Sequence, residues 1–191
     1  MRVLFGLGNP GSEYDGTRHN IGFGVLEAIA TKLGVRFVPG RGEYEAAAAR
    51  GGNEILLVKP MTFMNNSGVA FRDVLDTYRV GLSETLTIVD DFELPLGTLR
   101  MRRSGSAGTH NGLASIIWTL ESEDFPRLRC GIGSPHKPAD KRLTADFVLA
   151  PFARDERLAV GQMIERACQT SIIFAEENYH KAVEALRTLP K

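Results

Sequence analysis

The chain has 191 residues, 43% of them hydrophobic and 24% charged, with 23 acidic side chains against 23 lysines and arginines. This length and balance suit one folded domain over residues 1–191 and exclude a disordered chain, while a formal charge of zero excludes a global basic field for non-specific nucleic-acid binding. Cys130 and Cys168 lack CxxC spacing, which argues against a disulfide framework, a zinc site or a redox pair. No apolar run approaches the about 18–20 residues of a membrane helix, and the apolar start before Gly6 is too short for a secretory leader, so a cytoplasmic location is expected.

Residues 3–7 form an apolar run closed by glycines, which predicts a buried strand entering a loop over 8–16. From His19 onward Ile21, Val25, Ile29 and Leu33 recur at helical spacing, and Gly34 supplies a C-terminal stop. A second apolar run at 55–58 ends at Lys59-Pro60 and precedes helical spacing over 69–78. Residues 86–89 predict a strand that runs into Asp90 and Asp91, and 113–120 a helix packed on a sheet. Two more strands are expected at 127–132 and 145–149, then a long helix over 153–177 and a short amphipathic tail through Leu186. The alternation gives an α/β class: one domain with a mixed, largely parallel, twisted sheet covered by helices on both faces, and a site in the loops at the strand ends.

Gly6-Leu7-Gly8-Asn9-Pro10-Gly11 matches GxGxxG after a strand, the fingerprint of a dinucleotide-binding unit. The context argues against that unit: Pro10, Gly11, Asp15 and Gly16 delay the helix to about residue 17, and no acidic residue closes a second strand near 35–39. His19 falls at a helix start, where the helix dipole favours the neutral imidazole. A carboxylate from Asp90 or Asp91 could orient it for proton abstraction from water, or both could be solvated turn residues. Asn9, Asn65 and Asn111 each stand in a loop or at a helix entry, where an amide can bind a carbonyl without disturbing a neighbouring base, or simply cap a helix. The four histidines lack metal-ligand spacing.

The strings GLGNPGxxYxxTRHNIG, KPxTFMNxSG, DDFELPLG and GTHNGL, in this order and continued by Arg127-Leu128-Arg129-Cys130-Gly131-Ile132-Gly133, resemble the bacterial peptidyl-tRNA hydrolase family over nearly the whole chain. The resemblance implies a peptidyl-tRNA hydrolase-like fold. It also implies a hydrolase of the ester between a peptide, or an N-blocked aminoacyl group, and tRNA, acting without metal, nucleotide or other cofactor. By similarity His19 is the catalytic base. Aligning Glu93-Leu94-Pro95-Leu96-Gly97 with the family's acidic-Leu-Pro-x-Gly string makes Asp90, rather than Asp91, its partner. Asn9, Asn65 and Asn111 match substrate-contacting asparagines, and Tyr14 and Met64 match cleft-lining positions. Asn111 is the first candidate for oxyanion donor and Asn65 for the peptide backbone, although the sequence does not separate their roles.

The implied partner is peptidyl-tRNA, held at its acceptor stem and 3′ end, with Arg102 and Arg129 clamping the 5′ phosphate. Arg100, Arg103, Lys137, Lys141 and Arg142 are further candidates for phosphate contacts. No membrane and no obligate protein partner are implied, and the expected state is a monomer. Where relatives carry a glycine-rich run this chain has Ser104-Gly105-Ser106-Ala107-Gly108-Thr109, in which the side chains of Ala107 and Thr109 stiffen the loop. Val89 and Ser134 stand where relatives commonly have histidine. Residues 135–146 read as a mobile lid or as a plain surface loop. The competing reading is an RNA-binding module of the same fold without catalysis.

Overall fold

The computed structural model describes residues 1–49, 52–138, 140 and 143–189; Lys141 and Arg142 lie outside them. The strands are β1 (Arg2–Gly6), β2 (Val38–Pro39), β3 (Tyr44–Ala49), β4 (Ile55–Pro60), β5 (Thr85–Pro95), β6 (Leu99–Arg102) and β7 (Arg127–Gly133). The helices are α1 (Ile21–Leu33), α2 (Ser67–Tyr78), α3 (Asn111–Leu120), α4 (Thr144–Leu149), α5 (Arg157–Glu176) and α6 (Tyr179–Thr188). The strands form one sheet in the order β2-β3-β4-β1-β5-β7-β6. Its centre, β4-β1-β5-β7, is parallel, and the outer strands β2, β3 and β6 are antiparallel. This is the mixed, largely parallel α/β sheet that the strand–helix alternation predicts.

Alternation along the central strands separates two apolar layers. Leu4, Leu57, Leu86, Ile88, Leu128 and Cys130 face α1, α5 and α6, where they meet Val25, Ile29, Met163, Ala167 and Phe174. Val3, Phe5, Leu56, Val58 and Val89 face α2 and α3, where they meet Phe71, Val74, Leu113 and Ile116. The central strands are buried on both sides, which explains why they read as unbroken apolar runs. α1 sits unusually close to β1. A Cβ on Gly6 would lie 2.5 Å from the Gly22 carbonyl oxygen, so both positions must be glycine for the helix start to approach the strand end.

Several elements differ from the sequence expectation. Residues 145–149 belong to α4 and not to a strand. A short apolar run fits either state. Here the side of β7 away from β5 is taken by β6, and the run forms a helix that buries Phe147. β3 carries four consecutive alanines, good helix formers that reveal nothing of the pairing with β4 that fixes them as a strand. β6 has Leu99 and Met101 buried between exposed Arg100 and Arg102. The long helix expected over 153–177 starts one turn later, after a 3₁₀ turn at Arg154–Glu156.

Candidate active site

The carboxyl ends of the parallel strands carry the polar groups. β5 pairs regularly with β7 as far as Asp91↔Gly131, after which the register slips to Pro95↔Gly133. This bulge ends the regular ladder beside Asp90 and Asp91. Successive strand residues point to opposite faces, so the two carboxylates part company. Asp90 Oδ1 lies 2.9 Å from His19 Nδ1, whereas Asp91 Oδ2 lies 2.9 Å from Arg129 Nε.

His19 sits in a 3₁₀ turn, Arg18–Asn20, immediately before α1 rather than inside its first turn. A second histidine arrives from the other side of the sheet. His110, the N-cap of α3, places Nε2 2.9 Å from the same Asp90 oxygen, and the two imidazole centroids are 4.8 Å apart. The backbone N–H of Leu113 donates to His110 Nδ1 at 3.2 Å. That nitrogen therefore carries the lone pair, and Nε2–H is the donor to Asp90. His19 donates its Nδ1–H to the same oxygen, which leaves its Nε2 as the basic nitrogen. Among the described residues Nε2 has no hydrogen-bond partner, and the ring lines a cleft of about 770 Å³.

Burial alone would lower the pKa of His19, but the Asp90 charge and hydrogen bond outweigh it and hold the group above its ordinary 6.5. Burial pushes the Asp90 carboxyl up, yet the charges and hydrogen bonds of the two histidines prevail and keep it well below the usual carboxylate range. Asp90 is thus a buried anion that two rings stabilise, and it rests over the buried Cys130 of β7. The facing donor atoms of His19, Asp90 and His110 lie within 4.8 Å of one another, a spacing that could hold a metal ion. Such an ion would need lone pairs at both facing ring nitrogens, whereas the hydrogen bonding puts a proton on each.

The three asparagines differ in freedom. Asn9 is buried; its backbone N–H donates to Asn20 Oδ1 and its carbonyl accepts from Asn20 Nδ2, both at 2.9 Å. Its own Oδ1 accepts from the Met64 N–H at 2.8 Å, so the amide is oriented with its NH₂ as the remaining donor. Asn65 and Asn111 are exposed, their side-chain amides carry no partner among the described residues, and both line the cleft with Asn9 and Met64. Ala107 and Thr109 line it too. Tyr14, expected in the cleft, is not among its lining residues; its ring stands edge-on to Phe63 at 6.3 Å.

One wall of the cleft is α4, through Thr144, Ala145, Val148 and Leu149. It is fastened to the turn that bears His19 by Arg18. The guanidinium donates to the carbonyls of Ala150 and Pro151 at 3.2 and 2.7 Å, pairs with Glu156 at 2.6 Å, and lies over the rings of Phe147 and Phe152 at 4.2 and 5.2 Å. Before α4, Lys137 reaches the Phe92 carbonyl and its ammonium sits 3.9 Å from the Phe92 ring centroid.

The opposite rim is basic. Arg100 pairs across the ladder with Arg129 and Arg102 with Arg127, which puts four guanidinium stems on the sheet face that α3 covers. Arg127 is buried and spent on structure: it donates to the carbonyls of Gly105, Ser106 and Glu123 and so holds the loop that leads to His110. Arg129 lines the cleft, while Arg100 and Arg102 are exposed.

His110, Asn20, Arg18 and Arg127 are missing from the candidates read in the sequence. A signal for His110 was present: both histidines stand in a His-Asn pair with glycine close behind, His19-Asn20-Ile21-Gly22 and His110-Asn111-Gly112. Arg18 and Arg127 look like surface cations until the distant carbonyls that they hold are known.

An imidazole held by a buried carboxylate, with its second ring nitrogen left at a cleft rimmed by amides, is an arrangement suited to the activation of water in a hydrolase. Residues 3–191 match the family model described as peptidyl-tRNA hydrolase. The chain is 42% identical over 186 residues to the peptidyl-tRNA hydrolase of Caldanaerobacter subterraneus, covering 96% of this chain and 97% of that one. It is 48% identical over 170 residues to that of Synechococcus elongatus, covering 86% and 82%. The crystal structure of the Acinetobacter baumannii peptidyl-tRNA hydrolase superposes with a TM-score of 0.90 at 29% identity, covering 97% and 94%. The chain therefore belongs to the peptidyl-tRNA hydrolase family, and its activity is hydrolysis of the ester bond in peptidyl-tRNA. Among the described residues no helix is long and apolar enough to cross a membrane.

Proposed function

We propose that His19 is the general base of this hydrolysis and Asp90 the carboxylate that holds it. Neutral His19 takes a proton on Nε2 from a water molecule in the cleft, and the water oxygen attacks the carbonyl carbon of the ester. The negative charge moves to the carbonyl oxygen, where amide donors and the positive end of α3 stabilise it. As the tetrahedral intermediate collapses, the bond to the ribose oxygen breaks and the imidazolium returns its proton to that oxygen. The products are a peptide carboxylate and a tRNA with a free hydroxyl.

Asn111 is the first candidate for the oxyanion donor, since its side chain has no partner among the described residues and it opens α3 two residues before the Leu113 N–H that fixes His110. Asn65 suits the peptide backbone, and the NH₂ of Asn9 suits a carbonyl at the cleft floor. Arg102 and Arg129 bind the 5′ phosphate of the tRNA, and the ladder that sets like charges opposite one another supports an anionic partner there. The enzyme works as a cytoplasmic monomer of one domain, without metal or nucleotide.

The observation that carries this reading is the 2.9 Å contact between His19 Nδ1 and Asp90 Oδ1, with Nε2 left over at the cleft. The test is release of peptide from purified N-acylated aminoacyl-tRNA by the wild-type protein, with a chelator present and no nucleotide. Release that His19→Ala abolishes is expected. Binding of tRNA without cleavage of the ester would leave only an RNA-binding module.

A further inference from the structure

Trp118 is the one tryptophan of the chain and is 86% exposed, the largest exposure among its big apolar side chains. It has no packing role. The sheet side of α3 is made by Leu113 and Ile116, and the α2 side by Ser115 and Thr119, which a Cβ on Gly68 would strike. Trp118 lies on the remaining, solvent-facing stripe, seven residues from Asn111 with Ala114 between, and all three are exposed.

That stripe begins in the cleft, because Asn111 lines it together with His19 and Arg129. Along the helix axis Trp118 stands about 10 Å from Asn111, at 1.5 Å per residue. Exposed Arg72 of α2 is bonded to the carbonyl of Thr119, next to Trp118, at 2.6 Å, and exposed Arg100 and Arg102 stand on the sheet face that α3 covers, whereas Arg127 is spent on loop carbonyls and Arg129 on Asp91. No carboxylate interrupts the stripe before Glu121, just past the helix end.

We infer that Trp118 is a stacking platform for an unpaired nucleotide at the 3′ end of the tRNA substrate. This rests on the proposed reading of the site, which fixes the ester near His19. The strand leaving that ester passes over Asn111 and reaches Trp118 after about three stacked nucleotides at ~3.4 Å each. The indole face takes a base of any identity, and exposed Arg72, beside Thr119, is the cation placed to meet its phosphate. The continuity of the stripe with the cleft, through Asn111, makes the substrate's own strand the occupant that the geometry favours.

Because the chain has a single tryptophan, its fluorescence reports this contact directly. The wild-type protein is titrated with uncharged tRNA, with the same tRNA trimmed of its unpaired 3′ nucleotides, and with an N-acetylated tripeptide. Quenching by intact tRNA that trimming removes is expected. Equal quenching by trimmed tRNA, quenching by the peptide, or quenching on concentrating the protein alone would overturn the platform. In steady-state hydrolysis of peptidyl-tRNA, Trp118→Ala should raise KM about tenfold rather than lower kcat, and Trp118→Phe should restore it. An unchanged KM in Trp118→Ala sinks the platform alone, whereas absent hydrolysis in the wild type sinks the His19 reading and leaves the fluorescence result to stand.

Discussion

His19 and His110 approach one another to 4.8 Å, ring centre to ring centre, because both donate to a single oxygen of Asp90. One ring precedes α1 on one side of the sheet and the other caps α3 on the opposite side, so the carboxylate at the end of β5 joins the two apolar layers at the site itself.

His19→Ala should lower kcat for peptidyl-tRNA by about 10²–10⁴-fold, the usual worth of a positioned general base. Tight binding of uncharged tRNA should survive. Single-turnover kinetics beside a filter-binding titration separate the two effects, and a fully active variant would remove His19 from the chemistry.

The pH dependence follows from the direction of the His19 shift. A base must be neutral to act, and Asp90 holds the folded-state pKa of His19 above 6.5, so kcat/KM should rise through a midpoint above that value as pH increases. In Asp90→Asn the charge that opposes burial is gone. The midpoint should fall below 6.5, while the rate at the plateau drops because the ring is held less well. A midpoint that stays put would mean that the limb belongs to another group.

Removing His110 should act in the opposite sense. His110→Ala takes away one of the two donors that share Asp90 Oδ1, which leaves the carboxylate more strongly attached to His19. The acidic limb should move to higher pH, and the rate at neutral pH should fall. The pH–rate profile of the variant decides this, and His110→Gln, which can still donate, should lie between it and the wild type.

Arg18 and Glu156 are 3% and 4% exposed and pair at 2.6 Å. Arg18→Met should cost about 3–5 kcal/mol of folding stability, since it strands a buried carboxylate. Denaturant midpoints measure the loss, and adding Glu156→Gln should recover part of it. As Arg18 also fixes the α4 wall of the cleft, KM should rise in both variants.

For the basic rim, Arg102→Ala should weaken tRNA binding and reduce the slope of log Kd against log salt by about 0.7–0.9, the share of one neutralised phosphate. A slope equal to that of the wild type would place the phosphate elsewhere.

Much of the fold was legible in the sequence. The four central strands are buried on both faces, so their apolar runs and the helical spacing of Ile21, Val25 and Ile29 could be read locally. The edges could not. The alanines of β3 and the arginines of β6 carry no local strand signal and are fixed by pairing with β4 and β7. The helical state of α4 goes with the seat that Phe147 finds against Arg18, a contact that no local pattern reveals.

The sequence by itself determined the central sheet, the family through its ordered motifs, and the candidates His19, Asp90 and three asparagines, because these features are short-range strings that need no neighbour to be read. The resemblance chose Asp90 over Asp91, and the tertiary structure supplies the physical reason, since the faces of β5 are set by its pairing with β7. The fold alone brings His110 onto the same oxygen, turns Asn9 to serve Met64, and shows Arg18 and Arg127 to be internal fasteners. Each of these joins residues distant along the chain, and hydrogen bonds across such separations are fixed by packing rather than by local composition.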